Sequence, residues 1–224
     1  MRYAVSEILL IVVGVTLALT ANSWYAGVKE RREELLALQQ IQVALESDIQ
    51  SFSKFRKNLH DSERDIGMLV EALQSQSPPT ERIADNLGQV LTWQQTQIRT
   101  GPYEEIKNRG FSLISSPSLR SALIDLYDRA WPRVDGVSLA DREYSAGQLA
   151  EYFDRNLVRS SVDLSSWTPL HGYSALRQDP YFRNLVVRKL NRLRQYFIPA
   201  ADDFEVAARK VLSETDEQIS RLGG

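Results

Sequence analysis

Two neighbouring carboxylates and two histidines are the side chains whose types suit acid–base or metal chemistry. Glu104 and Glu105 stand in the segment 103–107, where paired acids could hold a cation or act as acid and base. His60 and His171 are far apart and show neither a metal-ligand spacing nor a triad pattern. The sequence contains no cysteine, which excludes disulfides, thiolate metal sites and cysteine nucleophiles.

The motifs that would indicate a common enzyme class are missing from the sequence. It contains no GxGxxG, no GK[ST] and no HExxH, so neither nucleotide binding nor zinc hydrolysis is predicted. The two acids also have a structural interpretation, because carboxylates in the first turn of a short helix complement its macrodipole. We therefore expect no enzymatic activity, no cofactor and no metal site. A hydrolase using Glu104 and Glu105 is the enzymatic alternative.

One stretch of the chain carries a local excess of positive charge. Between Tyr181 and Ala201 there are five basic residues and no acid. This basic stretch consists of Arg183, Arg188, Lys189, Arg192 and Arg194. It could bind an anion, pair with acids of neighbouring helices or face solvent. Over the whole chain 29 acids balance 27 bases, which argues against a nucleic-acid partner.

The N-terminal segment is apolar enough to predict a membrane anchor. From Ala4 to Tyr25 about 22 residues contain one charge, at Glu7, and this length suffices for a helix to cross the hydrocarbon core. Trp24 and Tyr25 stand where interfacial aromatic residues belong, directly before a charged run. A cleaved signal peptide is the alternative, but the possible cleavage sites place large residues three positions before the cut. We expect an uncleaved, single-pass anchor over residues 1–28, with the lipid bilayer as its partner.

One face of the predicted anchor combines an acid with small residues. Glu7, Gly14, Ala18 and Ala21 recur at spacings of seven, four and three, so they lie on the same side of a helix. Small residues let membrane helices approach closely, which predicts contact with a second copy of the chain or with another membrane protein. Alternatively, the Glu7 carboxylate reaches the lipid headgroups from its place near the start of the helix.

Two separated motifs resemble those of a known family. The segment 3–14 reads YAVSEILLIVVG and continues to Trp24; it resembles the N-terminal signature of an uncharacterised family of bacterial single-pass membrane proteins, a domain of unknown function. The segment 103–110 reads YEEIKNRG and is similar to that family's central motif in order and spacing. We expect a structural role for its residues Tyr103, Glu104, Glu105, Lys107 and Gly110. The family implies a bacterial membrane location and no established activity.

The orientation of the anchor has two conflicting indications. Arg2 and the α-amine precede the anchor, whereas Lys29, Arg31 and Arg32 follow it, and this charge count favours a cytoplasmic C-terminal domain. The longer basic N-terminus of many family members implies the opposite arrangement, in which the helical domain lies outside the cytoplasmic membrane. We expect the arrangement implied by the family, with the protein in the bacterial inner membrane.

The remainder of the chain, 29–224, has the pattern of an all-α domain. Apolar residues repeat with a period of seven along a helix that we expect to continue from the anchor to about residue 75. These residues are Leu38, Leu45, Phe52, Leu59, Ile66 and Leu73. No stretch of useful length alternates between apolar and polar residues with a period of two, so strands are not predicted.

Turn residues divide the later part of the chain into further helices. A second helix is expected from Thr80 through Ile98, a short one over 103–109, a third long helix from Pro117, and a fourth from Pro180. Prolines should bend the two last helices, at positions 132 and 199. We predict an antiparallel up-down bundle of about four main helices with a coiled-coil-like pattern. The long connection 158–180 is predicted to be either a functional loop or a packed cap.

These patterns favour an interaction or scaffold protein of the bacterial envelope over an enzyme. One alternative is an extracytoplasmic sensor that binds a small ligand in a polar pocket beneath Tyr103 and the basic stretch. Another is a subunit that assembles with itself through the face containing Gly14 and Ala18.

Overall fold

The computed structural model describes the backbone of residues 2–75, 81–159 and 166–223, and their side chains except for residues 2–12 and 81–85. The helices are α1 (Arg2–Gln74), α2 (Glu81–Leu91), α3 (Gly101–Arg109), α4 (Pro117–Asp125), α5 (Trp131–Tyr144), α6 (Ala150–Asn156), α7 (Gly172–Gln178), α8 (Pro180–Arg192) and α9 (Ile198–Gly223). Two strands, β1 (Leu157–Arg159) and β2 (Trp167–Pro169), form an antiparallel hairpin.

Helix α1 confirms the long first helix and its heptad pattern. All six residues at the seven-residue spacing are at most 3% exposed, and they form one side of the core. A helix has 3.6 residues per turn, so a period of seven keeps these side chains on one stripe that faces the rest of the bundle. The stripe includes two polar residues, Asp48 and Ser62, which are buried as well.

The predicted second helix ends earlier than expected. Helix α2 stops at Leu91, and the segment 92–100 that includes Ile98 is not helical. Side chains of neighbouring helices satisfy the backbone of this segment: the Asp48 carboxylate accepts from the Arg99 N–H at 2.8 Å. The Ser138 hydroxyl donates to the Gln94 carbonyl at 2.8 Å. These bonds replace the helical ones, which the local sequence pattern could not reveal.

Caps and turns at the ends of α3 and α4 agree with the sequence. Gly110 has a φ of 96° after the last residue of α3, a conformation that favours glycine. The Ser116 hydroxyl caps α4 by accepting from the Leu119 N–H at 3.3 Å, and Pro117 occupies the first helical position. The chain therefore reverses direction here as predicted.

Both long C-terminal helices contain π-helical turns next to their prolines. The turn Leu126–Ala130 joins α4 to α5 just before Pro132, and the turn Leu193–Phe197 joins α8 to α9 just before Pro199. Proline lacks an N–H and its ring clashes with the preceding turn, and a wider turn accommodates both effects. A third π turn, Ser145–Leu149, joins α5 to α6 and contains no proline.

The connection after α6 contains structure that the sequence patterns did not predict. Strand β1 pairs with β2 so that Arg159 lies opposite Trp167 and Leu157 opposite Pro169. Leu157 and Trp167 are buried, and the Phe153 ring contacts Trp167 edge-on at 5.2 Å. Apart from this hairpin the described residues form an all-α fold.

The chain passes up, down, up and down through the bundle. Near the base, Gln218 at the end of α9 donates to Glu34 of α1 at 3.2 Å. In the middle, the rings of Phe52 and Phe204 lie 4.4 Å apart. At the top, the Arg177 guanidinium donates to the Ser75 carbonyl at 3.0 Å. These contacts place α9 antiparallel to α1, and the second pass of the chain is built from α2, the segment 92–100 and α3.

Below residue 28 the helix α1 projects beyond the other helices. Trp24 is 72% exposed and Tyr25 is 68% exposed, and the apolar residues from Val13 to Leu19 are exposed too. Among the described residues, no helix has an apolar stretch long enough to cross a membrane. The Glu7 side chain, and with it part of the predicted anchor face, lies outside the described residues.

Candidate functional site

The motif 103–110 forms a packing contact at one side of the bundle. Tyr103 is fully buried and stacks on Tyr127 with 4.5 Å between ring centroids. Burial raises the pKa of both hydroxyls above the ordinary tyrosine value. The Lys107 ammonium lies 3.1 Å from the Asp128 carboxylate and thereby lowers the pKa of that acid. These contacts join α3 to the π turn after α4.

The two acids of the motif do not face a cleft. Glu104 and Glu105 are exposed, and the Glu105 carboxylate lies 3.8 Å from the Arg109 guanidinium of the same helix. His60 and His171 are exposed as well. Among the described residues no group of three or more acids and histidines is arranged to hold a metal ion. The geometric premise of a hydrolase based on these two acids is therefore missing.

The basic stretch does not form one surface. Arg183, Arg188 and Arg194 are exposed, but Arg194 pairs with Glu63 of α1 at 2.6 Å. The Arg192 guanidinium lies 5.4 Å from the centre of the Tyr144 ring. Lys189 is buried in the interior, so its inclusion in a solvent-facing anion patch is wrong.

Lys189 is instead the centre of a buried polar network. Its ammonium donates to both carboxylate oxygens of Asp141, at 2.8 and 2.7 Å, and to the Ser145 hydroxyl at 2.7 Å. It also donates to the Thr92 carbonyl at 3.0 Å. The exposed fractions of Lys189, Asp141 and Ser145 are 1%, 3% and 1%. Burial lowers the pKa of Lys189, and the Asp141 charge opposes that shift.

A periodic signal in the sequence could have revealed this network. Lys189 stands three residues after the buried Val186 and four before the buried Leu193, which is the spacing of the apolar face of its helix. Asp141 and Ser145 continue the buried register of Val134 on the facing helix. A charged residue at a core position needs a partner of opposite charge. Here α8 provides the ammonium of Lys189 and α5 provides the carboxylate of Asp141.

A large cavity on the described part of the molecule lies beside this network. It has a volume of about 650 Å³ and opens between α2, the π turn Ser145–Leu149 and the hairpin. We call it the Trp cavity. Its walls are formed by Gly88, Gln89, Leu91, Thr92, Trp93, Ser145, Ala146, Ala150, Asp154, Arg159 and Trp167.

The location of this cavity differs from the predicted one. Tyr103 has no exposed surface and packs against Tyr127 and Phe111. A smaller cavity of about 260 Å³ does touch the basic stretch, at Arg192, and it is lined by Asp141 and by aromatic and apolar residues. The residues of the Trp cavity come from predicted helices and from the long connection 158–180, and the sequence patterns do not bring them together.

A second buried network lies near the base of the bundle and joins its first helix to its last. Glu34 of α1 is buried and its carboxylate accepts from the Ser115 N–H at 2.8 Å and from the Ser115 hydroxyl at 2.9 Å. The same oxygen accepts from the Gln218 amide, which also donates to the Ser115 hydroxyl at 2.8 Å. One carboxylate thus connects α1, the turn before α4 and α9.

No protein-family model, no curated protein and no solved structure matches this chain.

Proposed function

We propose that this protein is a membrane-anchored, non-enzymatic interaction protein of the bacterial envelope. The observation that carries the proposal is the exposed apolar part of α1, which projects from the bundle as a continuous helix. Val15, Leu17 and Leu19 are 55–64% exposed, followed by Trp24 and Tyr25. Contiguous exposed apolar surface is costly in water, at about 25 cal/mol per Å², and marks a site of membrane or protein contact.

The resemblance of segments 3–14 and 103–110 to a family of bacterial single-pass membrane proteins supports this location. It also supports the orientation with the N-terminus inside and the bundle outside the inner membrane. The exposure of Trp24 and Tyr25 suits residues at a lipid–water boundary, where one edge of an aromatic ring contacts apolar chains and the other contacts water.

A single cysteine tests the anchor and the orientation together. Ser121 is exposed on α4, and the chain has no native cysteine. We expect the Ser121→Cys protein to remain in the membrane pellet after alkaline extraction. We also expect a thiol reagent that crosses the outer but not the inner membrane to label it in intact cells.

The matched control adds Leu17→Glu and Leu19→Glu to the same cysteine protein. Two charges within the apolar segment should prevent insertion, because each costs about 3 kcal/mol at the centre of a membrane helix. This variant should appear in the soluble fraction and resist labelling until the cells are permeabilised. Labelling of the parent only after permeabilisation would reverse the proposed orientation, and an unanchored parent would contradict the proposal itself.

We propose further that the interaction is self-association along one face of α1. Within an arc of about 80° on an ideal helix, this face carries small and apolar residues at spacings of three, four, seven and eight. They are Gly14, Ala18, Ala21, Tyr25, Val28, Leu36 and Val43, all exposed or, at Gly14, open around the position of a Cβ. Arg32 and Gln39 are its polar members.

A second copy of the chain is the partner that fits this face. Two copies with the same membrane orientation present parallel α1 helices, so each position faces its own counterpart. Small residues then meet small residues in the anchor, and apolar side chains meet above it, where Leu36 and Val43 border a shallow groove on α1. The register is continuous from the anchor into the bundle, so one face of α1 can contact the second copy along its whole length.

Cysteine crosslinking in membranes tests self-association. Ala21 lies on the proposed face, and Ser23 lies on the opposite side of the same helix turn, so the two positions are a matched pair. We expect Ala21→Cys to form disulfide-linked dimers under copper–phenanthroline oxidation and Ser23→Cys to form few. Adding Gly14→Leu and Ala18→Leu should reduce the Ala21→Cys dimer on the order of fivefold. Equal crosslinking from both positions would refute this face as the interface.

A further inference from the structure

The wall of the Trp cavity contains a buried hydroxyl for whose proton the described residues offer no acceptor. Ser145 accepts a hydrogen bond from the Lys189 ammonium at 2.7 Å, so its oxygen serves as acceptor there. A hydroxyl has one proton of its own to donate, and no acceptor for it occurs among the described residues. Ser145 is 1% exposed and forms part of the cavity wall. A molecule in the cavity that reaches this hydroxyl can satisfy the donor.

The charge behind Ser145 strengthens that donor. The ammonium of Lys189 polarises the hydroxyl oxygen, and hydrogen bonds arranged in a chain reinforce one another in a buried environment. The chain runs from Asp141 through Lys189 to Ser145 and ends at the cavity. The last group of this chain is the Ser145 hydroxyl, which has a proton to donate. The matching ligand group is therefore a hydrogen-bond acceptor such as a carbonyl oxygen.

Two tryptophans give the cavity its shape preference. Trp93 follows the end of α2 and is 43% exposed, whereas Trp167 lies on β2 and is 9% exposed. Leu91, Ala146 and Ala150 complete an apolar lining. Aromatic walls of this kind favour flat rings, which contact them by stacking or edge to face. The volume of about 650 Å³ lies in the range of sites for small molecules.

The charges of the described residues around the cavity balance. Arg159 and Asp154 line it with opposite charges, and the Lys189–Asp141 pair behind the wall is neutral as a unit. An ionised ligand would have to be desolvated without a net opposite charge to compensate it. From these observations together we propose that the Trp cavity binds an uncharged, planar aromatic molecule whose carbonyl oxygen accepts from Ser145.

Coumarin is the probe for this proposal, because it is flat, uncharged and carries a ring carbonyl. The full-length protein is purified in mild detergent with 5-fluorotryptophan at its four tryptophans, which are Trp24, Trp93, Trp131 and Trp167. We expect coumarin to shift the fluorine resonances of Trp93 and Trp167 in a saturable manner. Trp131 packs against Phe204 and Trp24 lies on the projecting helix, so neither should shift with the same dependence.

Ser145→Ala tests the hydrogen bond and has a matched control. We expect it to raise the Kd for coumarin about tenfold and to leave the Kd for naphthalene, which has no carbonyl, unchanged. Ser138→Ala removes a buried hydroxyl one heptad earlier on α5, where Ser138 donates to Gln94 and does not line the cavity. It should leave the Kd for both compounds unchanged. Coumarin-3-carboxylate should bind the parent more weakly than coumarin does.

A second variant protects the test against a folding defect. Ala146 is exposed and lines the cavity, so Ala146→Phe fills the space without touching the Lys189 network. It should abolish the coumarin shifts of Trp93 and Trp167. The proposal is overturned if these two resonances do not respond to coumarin, if Trp24 alone responds, or if Ser145→Ala weakens coumarin and naphthalene equally. None of these outcomes depends on membrane topology or self-association, because the protein is studied in detergent at fixed composition.

Discussion

Replacing Lys189 with methionine is expected to destabilise the folded protein by about 3–5 kcal/mol. The substitution keeps most of the apolar stem of the side chain but removes the ammonium that neutralises Asp141. Asp141 is 3% exposed, so its carboxylate cannot recover the lost contact from solvent. The Thr92 carbonyl and the Ser145 hydroxyl lose the same donor.

The free energy of unfolding of the full-length protein in detergent measures this effect, by urea titration followed with circular dichroism at 222 nm. Arg194→Met is the matched control from the neighbouring π turn. Arg194 pairs with Glu63 at 2.6 Å, but its side chain is 54% exposed, so solvent screens the pair. Its loss should cost about 0–1 kcal/mol.

A double variant separates the unpaired charge from the lost packing. Lys189→Met with Asp141→Leu removes both charges, and the remaining apolar pair should bring the stability back to within about 1–2 kcal/mol of the parent. If the double variant is as unstable as Lys189→Met alone, the buried carboxylate is not the cause of the loss. If Lys189→Met lowers the free energy of unfolding no more than Arg194→Met does, the buried network does not stabilise the fold.

Glu34→Ala is expected to cost about 2–3 kcal/mol, because one buried carboxylate oxygen accepts hydrogen bonds from three donors of Ser115 and Gln218. Removing it leaves these donors unpaired at the joint between α1, the turn before α4 and α9. The same urea titration applies. We also expect faster amide hydrogen exchange in the last turns of α9, since that helix loses its contact with α1 at this end.

The adjacent acid is the control for this variant. Glu33 pairs with Arg109 at 2.7 Å, and both side chains are more than a third exposed. Glu33→Ala should therefore cost about 0–1 kcal/mol and leave the exchange of α9 unchanged. If Glu33→Ala and Glu34→Ala lower the free energy of unfolding equally, the negative charge of this helical turn supports the fold and the buried network does not.

The features that the sequence predicted are those governed by local rules. The heptad of α1, the Gly110 turn and the Ser116 cap each depend on residues within a few positions of one another. The order of the helices and their antiparallel arrangement follow from the same signals, because short connections force neighbouring helices to reverse direction.

The features that it did not predict depend on contacts distant in sequence. The segment 92–100 is non-helical because Asp48, Ser138 and Lys189 satisfy its carbonyls and amides from three other helices. The hairpin has strands of only three residues, which is too short for an alternating pattern. The Trp cavity combines residues from α2, the third π turn and β2, so its composition was not evident before these elements were placed together.

The unbroken length of α1 has a mechanical consequence. From Tyr25 to Gln74 it is one α-helix of about 75 Å at 1.5 Å per residue, with no proline. The helices α8 and α9, which pack along it, are joined by the π turn Leu193–Phe197, where a small change of helical register can be accommodated. We therefore expect a torque applied at Tyr25 to be transmitted along α1, while the α8–α9 pair changes its register at the wide turn. Near its upper end α1 packs against α2, which forms one wall of the Trp cavity, so we expect axial twist at the base to change the width of that cavity.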